Sequence, residues 1–322
     1  MTVRVIAPAK INWTLEVLGK RPDRYHEIRS VMQTIDLCDE LRLSPAPELR
    51  RQQERPRRDA PPGTLYLRGI LPHQLNWSGY VDLPPDYGLL PGTDVVYQAT
   101  RLLDTEGERD VTISLTKRIP IAAGLGGGSS DAAATLRGLD RLWNLGLPRE
   151  KLARVAQQIG SDVAFFLMGG TALAEGRGEV ITQLADAREM WLVVVAPPIF
   201  MPEKTKTMYG TLRGEDFGDE GRTEALAERL KRGEGVREDD LCNAFERAAY
   251  ESFEGLAGYR DRLLGAGAAR VHVAGAGPAL FAMFGSRDEG EAVAERLSGP
   301  EAKVFVARTL GAEEATRIVV SE

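Results

Sequence analysis

The sequence predicts an α+β protein with two domains. The chain has 322 residues, which is long for a single hydrophobic core. Residues 2–7 and 12–18 alternate apolar and polar side chains in the manner of strands, whereas later segments place apolar residues at helical spacing. Strands therefore dominate the beginning of the chain and helices mix with strands later, which is typical of the α+β class.

The other elements are predicted from the same two periodicities. Pro8, Ala9 and Lys10 separate the first two strands and predict a tight corner between them. Short apolar or alternating runs predict further strands over Glu27–Ile35, Asp39–Leu43, Asp110–Leu115, Met190–Ala196, Arg270–Val273, Ala279–Phe284 and Lys303–Arg308. Helical spacing predicts helices over Asp94–Leu103, a segment ending near Trp143, Pro148–Ile159, Thr223–Lys231, Leu241–Glu251 and Leu256–Leu264.

We expect the domain boundary after residue 172, with an N-terminal domain over 1–172 and a C-terminal domain over 173–322. Within the first domain, residues 44–93 differ in composition, since arginines and prolines crowd together with few apolar side chains between them. Such a segment buries too little apolar surface to offset its ordering entropy, which predicts a flexible insertion. The alternative interpretation is a basic arm that binds a polyanion.

Composition and charge exclude several classes of function. A formal net charge of −6 argues against a nucleic-acid partner. Arg4 and Lys10 interrupt the apolar residues at the start, so no signal peptide is expected, and no stretch has the length of a membrane span. Cys38 and Cys242 are too few for a disulfide scaffold or a zinc site. We therefore expect a cytoplasmic protein with no membrane partner.

The most informative stretch runs from Pro120 to Ala134. Its glycines allow a sharp turn and a close approach of the backbone to a ligand, and an alanine-rich helix follows them. The N–H groups and partial positive charge of a helix N-terminus suit a phosphate, and Ser129 and Ser130 are expected to cap that helix. The pattern is neither a Walker A loop nor a dinucleotide motif. A turn that only lets a strand and a helix pack closely is the alternative interpretation.

Two charged residues stand among small or apolar neighbours. Lys10 follows a proline corner, and Asp162 precedes a run of large apolar residues, where an unpaired carboxylate is costly. A buried Lys–Asp pair is either structural or catalytic, and both interpretations stand at this point. In the catalytic interpretation Asp162 is a general base toward a hydroxyl, and Lys10 keeps that carboxylate ionised.

A second glycine element contains Gly275, Gly277 and Pro278 between two short apolar strands. It either closes a hairpin or forms a second wall of the phosphate pocket. Composition and spacing leave both interpretations open.

Taken together, these motifs resemble those of the GHMP kinase superfamily. Pro8–Asn12 resembles its first motif, the glycine–serine loop its second, and Gly275–Phe281 its third, in the same order over nearly the whole chain. Within the superfamily the chain is similar to the kinases of cytidine-diphosphate-linked methylerythritol in the non-mevalonate route to isoprenoids. The segments that carry this closer similarity are Ala7–Asn12, Arg24–Ile28, Asp36–Leu41, the triple-glycine loop, Ile159–Phe166, Gly176–Glu179 and Asn243.

The resemblance implies a two-domain GHMP kinase fold, with a ribosomal-protein-like N-terminal domain that binds ATP and a ferredoxin-like C-terminal α/β sandwich. It implies an enzyme, monomeric or homodimeric, that transfers the γ-phosphoryl group of ATP to the 2-hydroxyl of that small molecule. Lys10 and Asp162 would be catalytic, Asn12, Tyr25 and His26 would bind the substrate, and Ser130 would lie near Mg²⁺. The implied phosphate-binding residues are Pro120, Gly124, Leu125, Gly126, Gly127, Gly128, Ser129 and Ser130.

The chain departs from the family pattern at three places. Arg24 stands where glycine is usual, and Ala274, Ala276 and Ala279 replace hydroxyl residues of the third motif. Residues 200–209 replace the usual Val-Ser-Thr-Ala stretch, which leaves Phe200 or Met201 as candidates for a wall of the cytosine pocket. Another alcohol kinase of the superfamily, or a catalytically silent relative that binds a ligand, remains the alternative.

Overall fold

The computed structural model describes residues 1–45, 64–67, 77–79, 91–105, 109, 111–299 and 301–321. Its strands are β1 (Thr2–Lys20), β2 (His26–Pro45), β3 (Thr64–Leu67), β4 (Trp77–Gly79), β5 (Val111–Thr116), β6 (Thr171–Gly176), β7 (Val180–Gln183), β8 (Trp191–Ala196), β9 (Cys242–Asn243), β10 (His272–Val273), β11 (Leu280–Phe284), β12 (Lys303–Arg308) and β13 (Ile318–Ser321). Its α-helices are α1 (Pro91–Leu103), α2 (Gly127–Leu142), α3 (Arg149–Ile159), α4 (Val163–Met168), α5 (Lys204–Thr211), α6 (Gly221–Lys231), α7 (Glu246–Ser252), α8 (Leu256–Gly265), α9 (Arg287–Leu297) and α10 (Ala312–Ala315).

The first sheet is built around a long antiparallel hairpin. β1 and β2 pair along nearly their whole lengths, and the sheet continues in the order β13-β1-β2-β5-β3-β4. β6 pairs with β2 and β7, and the short β9 runs parallel to β1. The corner predicted at Pro8 to Lys10 is wrong, because β1 runs straight through it and only the register shifts between Pro8 and Ala9. A β-bulge absorbs the proline without ending the strand.

One face of the first sheet is covered by α1, α2, α3 and α4. Leu41, Leu43 and Ile113 pack against α2 near Leu139, and the alanines of α2 allow the sheet to approach closely. Gly138 lies against Leu43, where an added Cβ would come within 2.6 Å of a Leu43 methyl. The helix that follows the glycine loop is therefore held firmly by the core.

The second sheet is antiparallel, in the order β10-β11-β8-β12. Val193, Val195 and Leu280 on one face pack with the helices α7, α8 and α9. Leu192 and Phe281 on the other face pack against β1 and β2 of the first sheet. The two sheets therefore share one continuous apolar contact, and the glycine turns lie at its edge.

Most predicted elements are present, and the differences are local. The helix predicted over Leu241–Glu251 is wrong in its first half, since β9 occupies Cys242–Asn243 and α7 begins at Glu246. The strands β6, β7 and β13 and the helices α4, α5, α9 and α10 were not predicted. Residues 46–63, 68–76 and 80–90 of the predicted flexible insertion lie outside the described residues. The division after residue 172 stays a prediction. None of the helices in the described ranges is both long and apolar enough to cross a bilayer.

Candidate active site

A large cavity lies where the glycine turns meet β1. Its volume is about 1450 Å³, which exceeds the roughly 300–1,000 Å³ of a pocket for one small ligand. The cavity therefore has room for two ligands of nucleotide size. Of the residues singled out from the sequence, those that line it are Lys10, Asn12, Tyr25, His26, Pro120, Gly124, Leu125, Gly126, Gly127, Gly128, Ser129, Asp162 and Gly275.

The first end of the cavity is the N-terminus of α2. Gly126 precedes the helix with φ 72°, and an added Cβ there would come within 2.7 Å of the Phe166 ring, so only glycine fits. The backbone N–H of Lys10 donates to the carbonyl of Leu125 at 2.9 Å, which fixes the loop against β1. The first-turn N–H groups of α2 thus face the cavity from a rigid support, as an anion site requires.

The serines do not cap α2. The helix begins at Gly127 after Gly126, without a side-chain cap, so Ser129 and Ser130 belong to its first turn. Ser129 lines the cavity, whereas Ser130 is fully buried and its hydroxyl oxygen has no hydrogen-bond partner among the described residues. Four flexible glycine positions let the helix start earlier than the N-cap preference of serine predicts.

The second glycine element both closes the β10–β11 hairpin and forms a wall of the cavity. Gly124 has φ 91°, and an added Cβ would meet the carbonyl oxygen of Ala274 at 2.2 Å. The N–H of Ala279 donates to the carbonyl of Ala123 at 2.9 Å, so the two turns are directly bonded. Gly275 lines the cavity, while Gly277 and Pro278 lie behind it and are not among the described lining residues.

Asn243 holds this second turn in place. Its side-chain amide donates to the carbonyls of Val273 and Gly275, each at 2.8 Å, and its oxygen accepts from the N–H of Phe245. The hydroxyl residues absent from the turn are therefore not needed to fix its shape.

Lys10 and Asp162 lie together at the centre of the cavity. Lys10 Nζ is 3.9 Å from Asp162 Oδ2, and the Lys10 side chain is 7% exposed against 34% for Asp162. Burial lowers the pKa of Lys10, and the charge of Asp162 opposes that shift only in part. The Asp162 carboxylate is thus accessible from the cavity, while the buried Lys10 ammonium lies beside it and attracts it electrostatically.

A chain of buried hydrogen bonds orients Lys10. Its Nζ donates to Asn12 Oδ1 at 2.7 Å, Asn12 Nδ2 donates to Ser30 Oγ at 2.7 Å, and Ser30 donates to the Thr14 carbonyl. Each member is nearly excluded from water. The Lys10 ammonium is therefore held in one position by Asn12, whose side chain is itself fixed by its hydrogen bond to Ser30.

The second end of the cavity is aromatic. His26 stacks on Tyr209 with ring centres 4.6 Å apart, and Phe217 lies near the same imidazole. Tyr25 is half-exposed, with the Arg177 guanidinium 4.5 Å from its ring centre. Phe200 and Met201, the two candidate walls, also line this cavity. Burial lowers the pKa of His26, so its imidazole is neutral at pH 7.

Arg24 keeps the turn that a glycine usually makes. Its φ is 71°, a left-handed conformation that costs a non-glycine residue about 1 kcal/mol or more. Its side chain reaches the cavity. The departure from the family pattern thus adds a cation at this end, in a left-handed backbone conformation that glycine adopts without this cost.

Three residues of the site were not found from the sequence: Lys117, Lys204 and Tyr209. Lys204 Nζ donates to the carbonyls of Ala122 and Gly277, and Tyr209 supplies the stacking partner of His26. Both lie on α5, a helix that apolar spacing did not predict. Only the departure of residues 200–209 from the family pattern pointed to this segment.

Lys117 lies beneath the first turn of α2. Its Nζ donates to both Asp39 and Asp131, and each carboxylate is completely buried. Asp39 also accepts from the backbone N–H groups of Arg118 and Ile119. This cluster ties β2, the end of β5 and α2 together under the phosphate loop.

Among the described residues, no group of three or more His, Cys, Asp or Glu side chains is arranged to hold a metal ion.

Comparison with known proteins agrees with this geometry. The model of the GHMP kinases N terminal domain matches residues 94–170, and that of the GHMP kinases C terminal domain matches residues 221–301. A 4-diphosphocytidyl-2-C-methyl-D-erythritol kinase from Dehalococcoides mccartyi is 36% identical over 310 residues, covering 95% of this chain and 98% of its own. The kinase of the same name from Geobacillus kaustophilus is 38% identical, with 97% and 98% coverage.

This chain belongs to the family of 4-diphosphocytidyl-2-C-methyl-D-erythritol kinases, within the GHMP kinases. A crystal structure of 4-(cytidine 5'-diphospho)-2C-methyl-D-erythritol kinase has a TM-score of 0.71 at 30% identity, over 96% of this chain and 99% of that one. A homoserine kinase from Cytophaga hutchinsonii, at 16% identity and a TM-score of 0.67 over 99% and 97%, shares the fold. The predicted α+β GHMP kinase fold and the resemblance are thus confirmed, and the chain is an ATP-dependent small-molecule kinase.

Proposed function

We propose that this kinase transfers the γ-phosphoryl group of ATP to the 2-hydroxyl of 4-diphosphocytidyl-2-C-methyl-D-erythritol, in the non-mevalonate route to isoprenoid precursors. One observation carries the proposal: a single cavity has a helix N-terminus at one end, an aromatic cluster at the other, and Lys10 with Asp162 between them. The curated relatives with nearly full-length matches bear the name of this activity.

ATP phosphates bind at the first turn of α2. The N–H groups of Gly127, Gly128 and Ser129 have no intrahelical acceptor, and the helix dipole adds a partial positive charge there. Gly126 and Gly275 keep the turns beside these groups in place, since an added Cβ would collide with the Phe166 ring or with the carbonyl oxygen of Gly124.

Asp162 acts as the general base. Its carboxylate takes the proton of the 2-hydroxyl as the hydroxyl oxygen forms a bond to the γ-phosphorus. The bond between that phosphorus and the β–γ bridging oxygen breaks, and its electron pair leaves on ADP. Lys10, 3.9 Å from the carboxylate, pairs with Asp162 before transfer and offsets charge on the phosphoryl oxygens during it.

The aromatic end suits a cytosine ring. Tyr25, Tyr209 and Phe217 offer ring faces for stacking, and the neutral His26 both donates and accepts at the polar edge of a pyrimidine. Arg24 and Lys20 line the same end and complement a diphosphate. Asn12 faces the middle of the cavity, where the methylerythritol part would lie.

Mg²⁺ would be held by the ATP phosphates and by a hydroxyl of the first turn of α2, as is usual for an ion that keeps few protein ligands. The Ser130 hydroxyl oxygen has no hydrogen-bond partner among the described residues, but Ser130 is fully buried and does not line the cavity, so Ser129, which does, fits this role better. The ion neutralises charge on the phosphates when bound. Localisation in the cytoplasm and a monomeric or homodimeric state stay predictions.

The test is an ATP-to-ADP turnover assay with magnesium and four acceptors: the cytidyl substrate, mevalonate, homoserine and galactose. We expect turnover with the cytidyl substrate alone. Turnover with another alcohol would retain the kinase and overturn the cytosine pocket, whereas none with any acceptor would favour the silent relative. Tyr25→Ala should raise the KM for the cytidyl substrate while kcat stays near its original value, because stacking binds ground and transition states alike.

A further inference from the structure

Lys204 lies where the two glycine turns meet. It is the first residue of α5, and its Nζ donates to the carbonyl of Ala122 at 2.8 Å and to that of Gly277 at 2.6 Å. One carbonyl belongs to the loop before α2 and the other to the second turn. An ammonium carries three N–H groups, so one remains for a further acceptor.

The charge of Lys204 is not neutralised by a carboxylate in direct contact. Within the described part of the chain, no Asp or Glu oxygen lies within ion-pair distance of its Nζ. Burial lowers the pKa of Lys204 to about 8, with Lys10 adding to that shift and Asp162 opposing it. Two ammonium groups thus share one nearby carboxylate, and the centre of the cavity carries a net positive charge.

Lys10 and Lys204 both lie beside the second glycine turn, so the positive charge is concentrated there. Lys10 Nζ lies 3.2 Å from the point where Gly275 would carry a Cβ, and Gly275 is bonded into the same turn as Gly277. Lys10 and Lys204 therefore approach this turn near the γ-phosphate position that the proposed function implies. A multiply charged phosphate is the ligand that such a site would attract most strongly.

We propose that Lys204 is a further catalytic residue, which binds the terminal phosphate oxygens of ATP. This inference rests on the proposed kinase function and adds a second cation to the phosphoryl-transfer site. Its two carbonyl bonds keep the ammonium in place before ATP arrives, so that its third N–H and its charge act on the phosphate without reorganisation. A lysine that only joined the two turns would contact no phosphate.

Calorimetric binding of two nucleotides to Lys204→Met separates these roles, with magnesium present and no acceptor. The probes are the non-hydrolysable ATP analogue AMP-PNP and AMP, which lacks the terminal phosphates. We expect AMP-PNP affinity to fall about 10- to 100-fold, as for a lost hydrogen bond to a charged group, and AMP affinity to stay within about twofold. Lys204→Arg should restore part of the AMP-PNP affinity, and Lys231→Met, an exposed lysine on α6, should change neither.

Equal losses for both nucleotides would overturn the proposal in favour of a tether, and no loss would exclude the contact. Should Lys204→Met fail to fold, the original protein gives the answer by reductive methylation and mass spectrometry. AMP-PNP, but not AMP, should protect Lys204 from methylation, and equal protection by the two would overturn the proposal. Because these tests use no acceptor, they fail independently of the substrate assignment, which the four-acceptor assay decides.

Discussion

Lys10 and Lys117 are both nearly excluded from water, with side chains 7% and 11% exposed, yet their surroundings are opposite. Lys117 contacts two completely buried carboxylates, Asp39 and Asp131. Lys10 has a neutral amide as its direct partner and a single carboxylate at 3.9 Å.

The pKa directions follow from these partners. Burial lowers the pKa of Lys117, but the charges of Asp131 and Asp39 outweigh it, and the net shift is upward. Burial also lowers the pKa of Lys10, and Asp162 does not overcome it. Lys117 also lines the cavity, but two carboxylates of the protein neutralise it, whereas the charge of Lys10 is compensated only in part and is left for a ligand to neutralise.

The largest effect is expected at the carboxylate of the cavity. Asp162→Asn should lower kcat by about 10²- to 10⁴-fold, because the proton acceptor is lost, while AMP-PNP binding stays within a few-fold. Single-turnover kinetics and calorimetry measure the two quantities. Near-normal turnover in this variant would remove Asp162 from the mechanism.

Lys117→Met should cost about 3–5 kcal/mol of unfolding free energy, since it leaves two buried carboxylates without their cation. Lys10→Met serves as the matched control. It should abolish most turnover and cost far less stability, because the one carboxylate beside it is partly exposed. Urea denaturation of both variants tests the comparison, and equal destabilisation would contradict it.

Ser30→Ala removes the acceptor of the Asn12 amide at the end of the chain that orients Lys10. The unpaired buried amide should cost about 1–3 kcal/mol of stability. We also expect a fall in kcat with little change in the KM for ATP, because Lys10 loses its fixed position. Ser44→Ala, at the far end of β2, is the control, and an unchanged kcat in Ser30→Ala would show that the chain is only structural.

The smallest effect is the pH dependence of stability. Lys204 has a pKa of about 8 when folded, below its ordinary 10.5, so the unfolded state binds more protons between these values. Its contribution to stability should therefore rise as pH increases through this window. The contribution of Lys117, whose pKa is raised, should be fully present below pH 10.5 and fall above it.

Urea denaturation at a series of pH values, comparing the original protein with Lys204→Met and Lys117→Met, measures both slopes. Between pH 8 and 10 the unfolding free energy of the original protein should rise relative to that of Lys204→Met. Relative to Lys117→Met it should not rise over the same range. If the stability contributions of Lys204 and Lys117 changed with pH in the same direction, the two lysines would not have the opposite electrostatic surroundings assigned to them.

Local sequence predicted much of the fold because many of the strands and helices have the apolar periodicity of their type. The strand over 191–196 and the helices over 149–159 and 256–265 lie within a few residues of their predicted bounds. β9 was missed because its two residues are too few to show an alternating pattern, and only their pairing with β1 identifies them as a strand. The helix over 204–211 was missed because it buries only Met208 and so lacks an apolar stripe.

The sequence by itself predicted the glycine loop from its residue types at short spacing, and it singled out Lys10 and Asp162 because each is a charge among small or apolar neighbours. Tyr25 and His26 were expected only from the family resemblance. Only the tertiary structure decided which of the cations that line the cavity are neutralised by the protein and which are left for a ligand. Asp39, Lys117 and Asp131 are far apart in the chain, and so are Lys204, Ala122 and Gly277. Charge compensation depends on distance in space, which local sequence patterns do not specify.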